Sequence, residues 1–272
     1  MEFTKYEDFK NVFEKYIAEY NLTEYLLNLN EIREIYNQDL TEDEQNALIK
    51  DKIYIKIQEM YKYMKYLLEK NKSVNVTAIK DEEEFLKKHI IDSIYITKYL
   101  SKLEDKVQNR KIRYIDIGTG GGFPLVPIKI FKEYDSYAMD SILKKLKVIK
   151  ENQDISIIHS RAEVIAHDEY YREKFDLVTT RAVSSLKNVI AYMAGFVKVN
   201  GYAIIMRGKK EILTNEDKMQ LKELLKEYSL RLEKIDNYIL FGEERTNYIL
   251  KKVTNLNKKL PITDARYYKE NK

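Results

Sequence analysis

Three glycines at every second position, Gly118, Gly120 and Gly122, follow an acid in the stretch Asp116-Ile117-Gly118-Thr119-Gly120-Gly121-Gly122-Phe123-Pro124. Such a turn lets the backbone approach a ligand closely and presents unpaired N–H groups to it, with the N-terminus of the following helix behind. The spacing separates ligand classes. A dinucleotide fingerprint wants glycine at the sixth place, where Phe123 stands, and a phosphate-cradling P-loop wants Gly-Lys-Ser/Thr where Gly-Phe-Pro stands. No lysine is in the turn to meet phosphate. What remains is a ligand that needs no phosphate cradle, or a glycine-rich loop with no ligand.

Other polar residues fall where a sheet would present them to the same ligand. Asp140 ends a short apolar run 22 positions beyond Gly118. A carboxylate there can accept both hydroxyls of a ribose, or can cap the helix from Ser141 onward. Ala162-Glu163 follows the next run, where a loop can contact a ligand, with Arg161 beside it for RNA or a carboxylate. Thr179-Thr180-Arg181-Ala182 ends another. An arginine at that end is hard to explain by burial, because an unpaired charge would be expensive, so Arg181 reads as a site residue. His89, Asp92 and Ser93 share one helical face. His89 and Asp92 either form a general-base pair or only satisfy each other, and a triad needs more than helical neighbours.

The elements that must hold these residues alternate from Ile112 onward. Strands are expected at Tyr114–Ile117, Tyr137–Met139, Ile155–Ile158, Phe175–Thr179 and Tyr202–Met206. Helices are expected at Val126–Lys132, Ser141–Asn152, Arg161–Ala166, Ser184–Phe196 and Asn215–Tyr228. That alternation predicts an α/β fold with a mostly parallel, doubly wound sheet. Leu232–Leu240 and Thr246–Val253 follow with no long helix between them and predict a terminal antiparallel hairpin, which makes seven strands. Upstream, residues 5–20, a short stretch through Tyr25, Leu26, Leu29 and Ile32, and a long run opened by Thr41-Glu42-Asp43-Glu44 carry apolar residues at helical spacing. Their tyrosines could be base-stacking platforms, but tyrosine on a core-facing helical stripe is more often packing. Asn75–Ile79 reads as extended, and Asp81 caps a helix through Phe85, His89 and Leu100. The expected division is a helical N-terminal extension, 1–72, and one domain, 73–272.

Composition narrows the chemistry. The 272 residues contain no cysteine, so zinc-thiolate sites, iron–sulfur clusters, disulfides and a thiol nucleophile are excluded. A net charge of +4 permits a nucleic-acid partner without demanding one. No apolar run is long enough to span a bilayer and no signal-peptide core opens the chain, so a cytoplasmic protein is expected.

The acid–x–Gly–x–Gly–x–Gly order resembles motif I of S-adenosylmethionine-dependent methyltransferases, whose ligand has no phosphate. Asn75-Val76-Thr77-Ala78-Ile79, His89-Ile90-Ile91-Asp92-Ser93, the glycine stretch, Asp140-Ser141, Arg161-Ala162-Glu163, Thr180-Arg181-Ala182 and Arg207-Gly208 together resemble the bacterial 16S rRNA guanine-N7 methyltransferase family (RsmG, also called GidB). The resemblance covers about Ser73 to Lys209. It implies a class I S-adenosylmethionine-dependent methyltransferase (Rossmann-like) fold and transfer of a methyl group from S-adenosyl-L-methionine to N7 of a guanine in 16S rRNA. By the same resemblance Gly118, Gly120, Gly122, Phe123, Asp140, Ser141, Ala162, Glu163 and Arg181 would contact the donor. Two departures stand out: a longer N-terminal helical region, and a tail reading Leu260-Pro261-Ile262-Thr263-Asp264-Ala265-Arg266.

Guanine N7 carries an in-plane lone pair and no proton, so methylation there needs placement rather than a general base. Arg181 is then a positioner, for a carboxylate or an RNA phosphate. His89 and Asp92 stay as candidates without a required role. RNA would be held by charge, through Arg161, Arg207, Lys209 and Lys210, with Lys144, Lys145, Lys147 and Lys150 on one helix and Lys251, Lys252, Lys258 and Lys259 near the end. The expected partner is the small ribosomal subunit or an assembly intermediate, met by a monomer that uses no metal. Two rivals stay open: a methyltransferase of a small molecule or protein, and a non-catalytic protein of this fold that binds RNA or the ribosome.

Overall fold

A computed structural model describes residues 2–107, 110–181, 184–208 and 212–261. The chain divides into two compact units.

The first unit takes residues 1–112, 120–136 and 144–156. It opens with helix α1 (Tyr6–Glu19), a 3-10 turn at Thr23–Tyr25 and helix α2 (Leu29–Tyr36). The sequence suggests one short helix across this region. Asn28 divides it by accepting the Glu31 amide at 3.0 Å as an N-cap. The long helix α3 (Glu42–Asn71) starts at the expected Thr41–Glu44 capping box. Its buried stripe includes Ile57, Met60, Tyr63, Met64 and Leu67. Tyr63 is fully buried, so here tyrosine is packing and not a stacking platform.

Asp81 accepts the Glu84 amide at 2.9 Å and caps α4 (Glu82–Phe85), as its position suggests. The helix does not continue regularly to Leu100. It widens into a π-helical turn at Leu86–Ile91, passes through α5 (Asp92–Ile94), tightens to 3-10 at Tyr95–Tyr99 and resumes as α6 (Ser101–Lys106). Helices α7 (Leu125–Lys132) and α8 (Leu143–Asn152) belong here too, except that Leu143 is assigned to the second unit. The N-terminal helices build the end of α7: Lys56 of α3 donates to the Phe131 carbonyl at 3.2 Å, and Asn28 donates to that of Lys132 at 3.2 Å. Both carbonyls are in the last turn, whose orphan acceptors need such partners.

The second unit takes residues 113–119, 137–143 and 157–272 and holds most of the sheet. The strands are β1 (Arg113–Ile117), β2 (Asp135–Asp140), β3 (Ser156–His159), β4 (Phe175–Arg181), β5 (Val197–Arg207), β6 (Leu230–Leu240) and β7 (Glu243–Lys252). Their order is β3-β2-β1-β4-β5-β7-β6, with β1, β4 and β5 parallel and β7 antiparallel to both neighbours. This is the class I methyltransferase arrangement: a parallel sheet with a switch point at β1 and an antiparallel hairpin at the end. Helices α9 (Ala162–Ile165), α10 (Leu186–Ala194) and α11 (Asn215–Glu227) complete the unit. Its core joins Ile115, Val178 and Ile205 of the sheet to Ile190 of α10 and Leu225 of α11. No helix among the described residues is long and apolar enough to cross a membrane.

Candidate active site

In the second unit the polar groups gather where β1 and β4 end. Their register sets Asp116 against Thr179 and Ile117 against Thr180. Thr179 donates to Asp116 Oδ1 at 2.7 Å and shares a second 2.7 Å bond with the Tyr114 hydroxyl, while Thr180 donates to the Ile117 carbonyl at 3.0 Å. Asp116 is fully buried and its Oδ2 has no hydrogen-bond partner. Burial pushes its pKa up to about 7; bonding to Thr179, the nearby Thr119 hydroxyl and the positive charge of Arg181 oppose the rise, and Asp140 adds to it. Thr119 lies close enough to weigh on the carboxyl, yet its buried Oγ1 makes no hydrogen bond of good geometry. Asp116, Asp140 and Arg181 thus stand in one electrostatic neighbourhood.

The turn leaves β1 with both the Gly118 and Thr119 amides donating to the Met139 carbonyl of β2, at 2.8 and 3.0 Å. Gly118, Gly120 and Gly122 have φ of 71°, 56° and 86°, left-handed conformations that explain glycine at every second place. At Gly122 a Cβ would fall 2.7 Å from the Tyr63 hydroxyl and 2.8 Å from Val126 Cγ2, so backbone conformation and space both demand glycine.

Asp140 ends β2, is 9% exposed and accepts the Ile142 amide through Oδ1 at 2.9 Å. That bond occupies the chain just after the strand and explains why α8 starts at Leu143 and not at Ser141. Ser141 is exposed and its carbonyl meets His159 Nε2 at 3.2 Å. Ala162 and Glu163 are buried in the first turn of α9, and the Glu163 carboxylate has no partner among the described residues. Arg161, the residue before α9, is exposed; its carbonyl accepts the Val164 and Ile165 amides, both at 3.2 Å, and its side chain makes no cap bond. Arg181 is half-buried at the end of β4, in register with Met206.

Two expected RNA contacts look different in place. Arg207 donates to the Ser184 carbonyl at 2.8 Å, which gives it a local structural task. Lys252 is fully buried, donating to the Ala194 carbonyl at 2.7 Å and pairing with Glu173 at 3.3 Å, so it cannot meet RNA. Lys209, Lys210 and Ala182 lie outside the described residues.

In the first unit, Tyr63 donates to the Gly121 carbonyl at 2.9 Å. Phe123 is 4% exposed, with its ring stacked on His89 at 4.4 Å and 9° and edge-on to Phe85 at 5.3 Å. His89 sits in the π-helical turn, a feature often found at functional sites. Its Nε2 meets Thr77 Oγ1 at 2.6 Å. Ser93 donates to the His89 carbonyl and not to the ring, so no nucleophile is presented to the imidazole. Asp92 is buried. The spacing marks Asp116 as the acid two places before the first glycine but gives it no role at the site, and it carries no signal for Thr119.

Residues 56–237 match the family described as rRNA small subunit methyltransferase G (GidB). The protein of that name from Thermoanaerobacter sp. (strain X514) is 34% identical over 214 residues, 75% of this chain and 85% of the relative. The one from Acetivibrio thermocellus is 38% identical over 175 residues, covering 62% and 69%. The one from Clostridium novyi (strain NT) is 34% identical over 217 residues, covering 76% and 85%.

Proposed function

The chain belongs to the rRNA small subunit methyltransferase G family, and on that premise we propose that it transfers a methyl group from S-adenosyl-L-methionine to N7 of one guanine in 16S rRNA. The observation that supports the reading most is the pair of neighbouring buried atoms that make no hydrogen bond of good geometry, Asp116 Oδ2 and Thr119 Oγ1, where β1 enters the glycine turn at Gly118. Buried polar atoms are rarely left unanswered, and a ligand's polar groups would answer these.

The residues present fit the donor. The turn of Gly118, Gly120 and Gly122 lets backbone without side chains approach it, with Gly118 and Gly120 partly exposed and Phe123 buried behind them. Asp116 suits its ammonium group, Arg181 its carboxylate, Asp140 and Ser141 its ribose, and Ala162 and Glu163 its adenine. When bound, S-adenosylmethionine supplies an electrophilic methyl on a sulfonium. The protein's task is then to hold the guanine ring in line and to exclude water. N7 has no proton to remove, so His89 and Asp92 need not act as a base, which agrees with an imidazole nitrogen already engaged by Thr77. Residues 73–272 are taken as the methyltransferase domain and 1–72 as its extension. The enzyme is taken to act in the cytoplasm, as a monomer, on the small subunit or an assembly intermediate, with Arg161 at the RNA face.

Incubation with S-adenosylmethionine and undermethylated small-subunit RNA tests the reading. Mass spectrometry of the digested RNA should find one 7-methylguanosine per molecule. Transfer only to protein or metabolites would favour a different methyltransferase, and donor binding without transfer a non-catalytic RNA-binding protein.

A further inference from the structure

We propose that a groove in the first unit, of about 980 Å³ and walled by Lys65, Lys72, Lys80 and Lys145, is a docking surface for backbone phosphates of the RNA substrate. The inference rests on the rRNA methylation reading and names where that RNA lies.

Charge is the first argument. Three carboxylates share the walls. Lys65 pairs with Glu82 and feels Glu2, and Lys72 pairs with Glu69 at 2.5 Å, so Glu82 and Glu69 are answered by ion pairs and the groove carries four lysines against three carboxylates. The side chains of Lys80 and Lys145 make no hydrogen bond or ion pair with any described residue. Lys145 lies in the first turn of α8, which has no acidic residue. A cation at that end opposes the helix dipole, so helix stability does not account for it. Lysine is a point charge on a flexible stem, suited to holding phosphate without reading sequence.

The groove's floor supplies the second argument. It is the Asn75–Ala78 segment, fixed by Asn71 at the end of α3. Asn71 accepts the Val76 and Thr77 amides at 2.9 and 3.0 Å and donates to the Thr77 carbonyl at 2.8 Å. The same floor touches the glycine turn. A Cβ on Gly121 would come within 3.2 Å of the Val76 carbonyl, and Thr77 reaches Phe123 through the His89 ring. A strand held by its phosphates along this groove therefore runs beside the turn assigned to the methyl donor. The Asn75 side chain is exposed on that floor and engages no described residue, which leaves it available to the RNA.

The test replaces both unpaired lysines, Lys80→Gln with Lys145→Gln, and uses Lys102→Gln, an exposed lysine of α6, as control. Affinity for undermethylated small-subunit RNA is measured across a salt series, with donor affinity by calorimetry and steady-state methyl transfer alongside. The double variant should bind RNA about tenfold or more weakly near 0.1 M salt, and its log K against log salt should be shallower by roughly 1.4–1.8 for two lost phosphate contacts. KM for RNA should rise, with kcat and donor affinity unchanged, and Lys102→Gln should match the wild type. Equal RNA affinity and equal salt slope in the double variant, with methyl transfer intact, would overturn the groove and leave the methylation reading standing. A wild type that neither binds nor methylates this RNA would remove the methylation reading, and the groove with it.

Discussion

Replacing Asp116 with asparagine should change stability and donor binding in opposite directions, and both changes should depend on pH. The carboxyl is fully buried with one oxygen unanswered, and its pKa is raised from 3.8 to about 7. The folded protein therefore keeps a proton that the unfolded chain releases near pH 4. Stability from this group is complete below pH 4 and is lost as pH rises through 7. The displacement of about 3 units corresponds to roughly 4 kcal/mol. Asp116→Asn cannot ionise, so in the ligand-free protein its stability relative to wild type should climb by up to roughly 4 kcal/mol between pH 4 and pH 8. Donor binding should run the other way. An ammonium group at Oδ2 favours the ionised carboxylate, so wild-type affinity should rise by up to about tenfold per pH unit below 7 and then level off. The variant should bind more weakly and lack this dependence. Urea unfolding and calorimetry at pH 5, 6, 7 and 8 read both effects. Parallel stability curves for the two proteins would refute the reasoning, because Asp116 would then have an ordinary carboxyl pKa in the fold.

Arg181→Ala should abolish turnover while leaving the urea midpoint at pH 5, where Asp116 is protonated, nearly unchanged; because its charge now holds the Asp116 pKa down, its loss should also move the pH dependence of donor binding upward and lower the urea midpoint at pH 8. Gly122→Ala forces a Cβ against Tyr63 in a left-handed backbone, and should cost about 1–3 kcal/mol by urea unfolding and weaken donor binding in calorimetry. Tyr63→Phe removes only the bond to Gly121 and should cost about 1 kcal/mol, read in the same urea assay. Lys252 has its pKa lowered to about 8 by burial, against the pull of Glu173. Between pH 8 and 10.5 the unfolded chain binds the extra proton, so wild-type stability should rise across that window by up to roughly 3 kcal/mol, and denaturation of Lys252→Met should show no such rise.

The glycine turn was legible because left-handed backbone at Gly118, Gly120 and Gly122 restricts the residue type itself. The alternating strands were legible too, since each holds a short cluster of apolar residues set between helical segments. β5 was underestimated because Asn200-Gly201 looks like a stop, whereas Asn200 takes a φ of 68° inside a strand that continues. The π-helical turn left no mark, because apolar spacing cannot separate a widened turn from a regular one over six residues. The carriage of α7 by the N-terminal helices was hidden for another reason. Lys56 and Lys132 look like surface residues by type, and their partners lie tens to a hundred positions away. At the site, composition gave Asp116 its chemistry but not its burial, and burial is what makes that carboxyl unusual.

A crystal structure with S-adenosylhomocysteine tests the central claim most directly. The claim predicts the ligand against the Gly118–Gly122 turn, its ribose hydroxyls on Asp140 and its ammonium on Asp116. The ligand bound elsewhere, with that turn untouched, would contradict it.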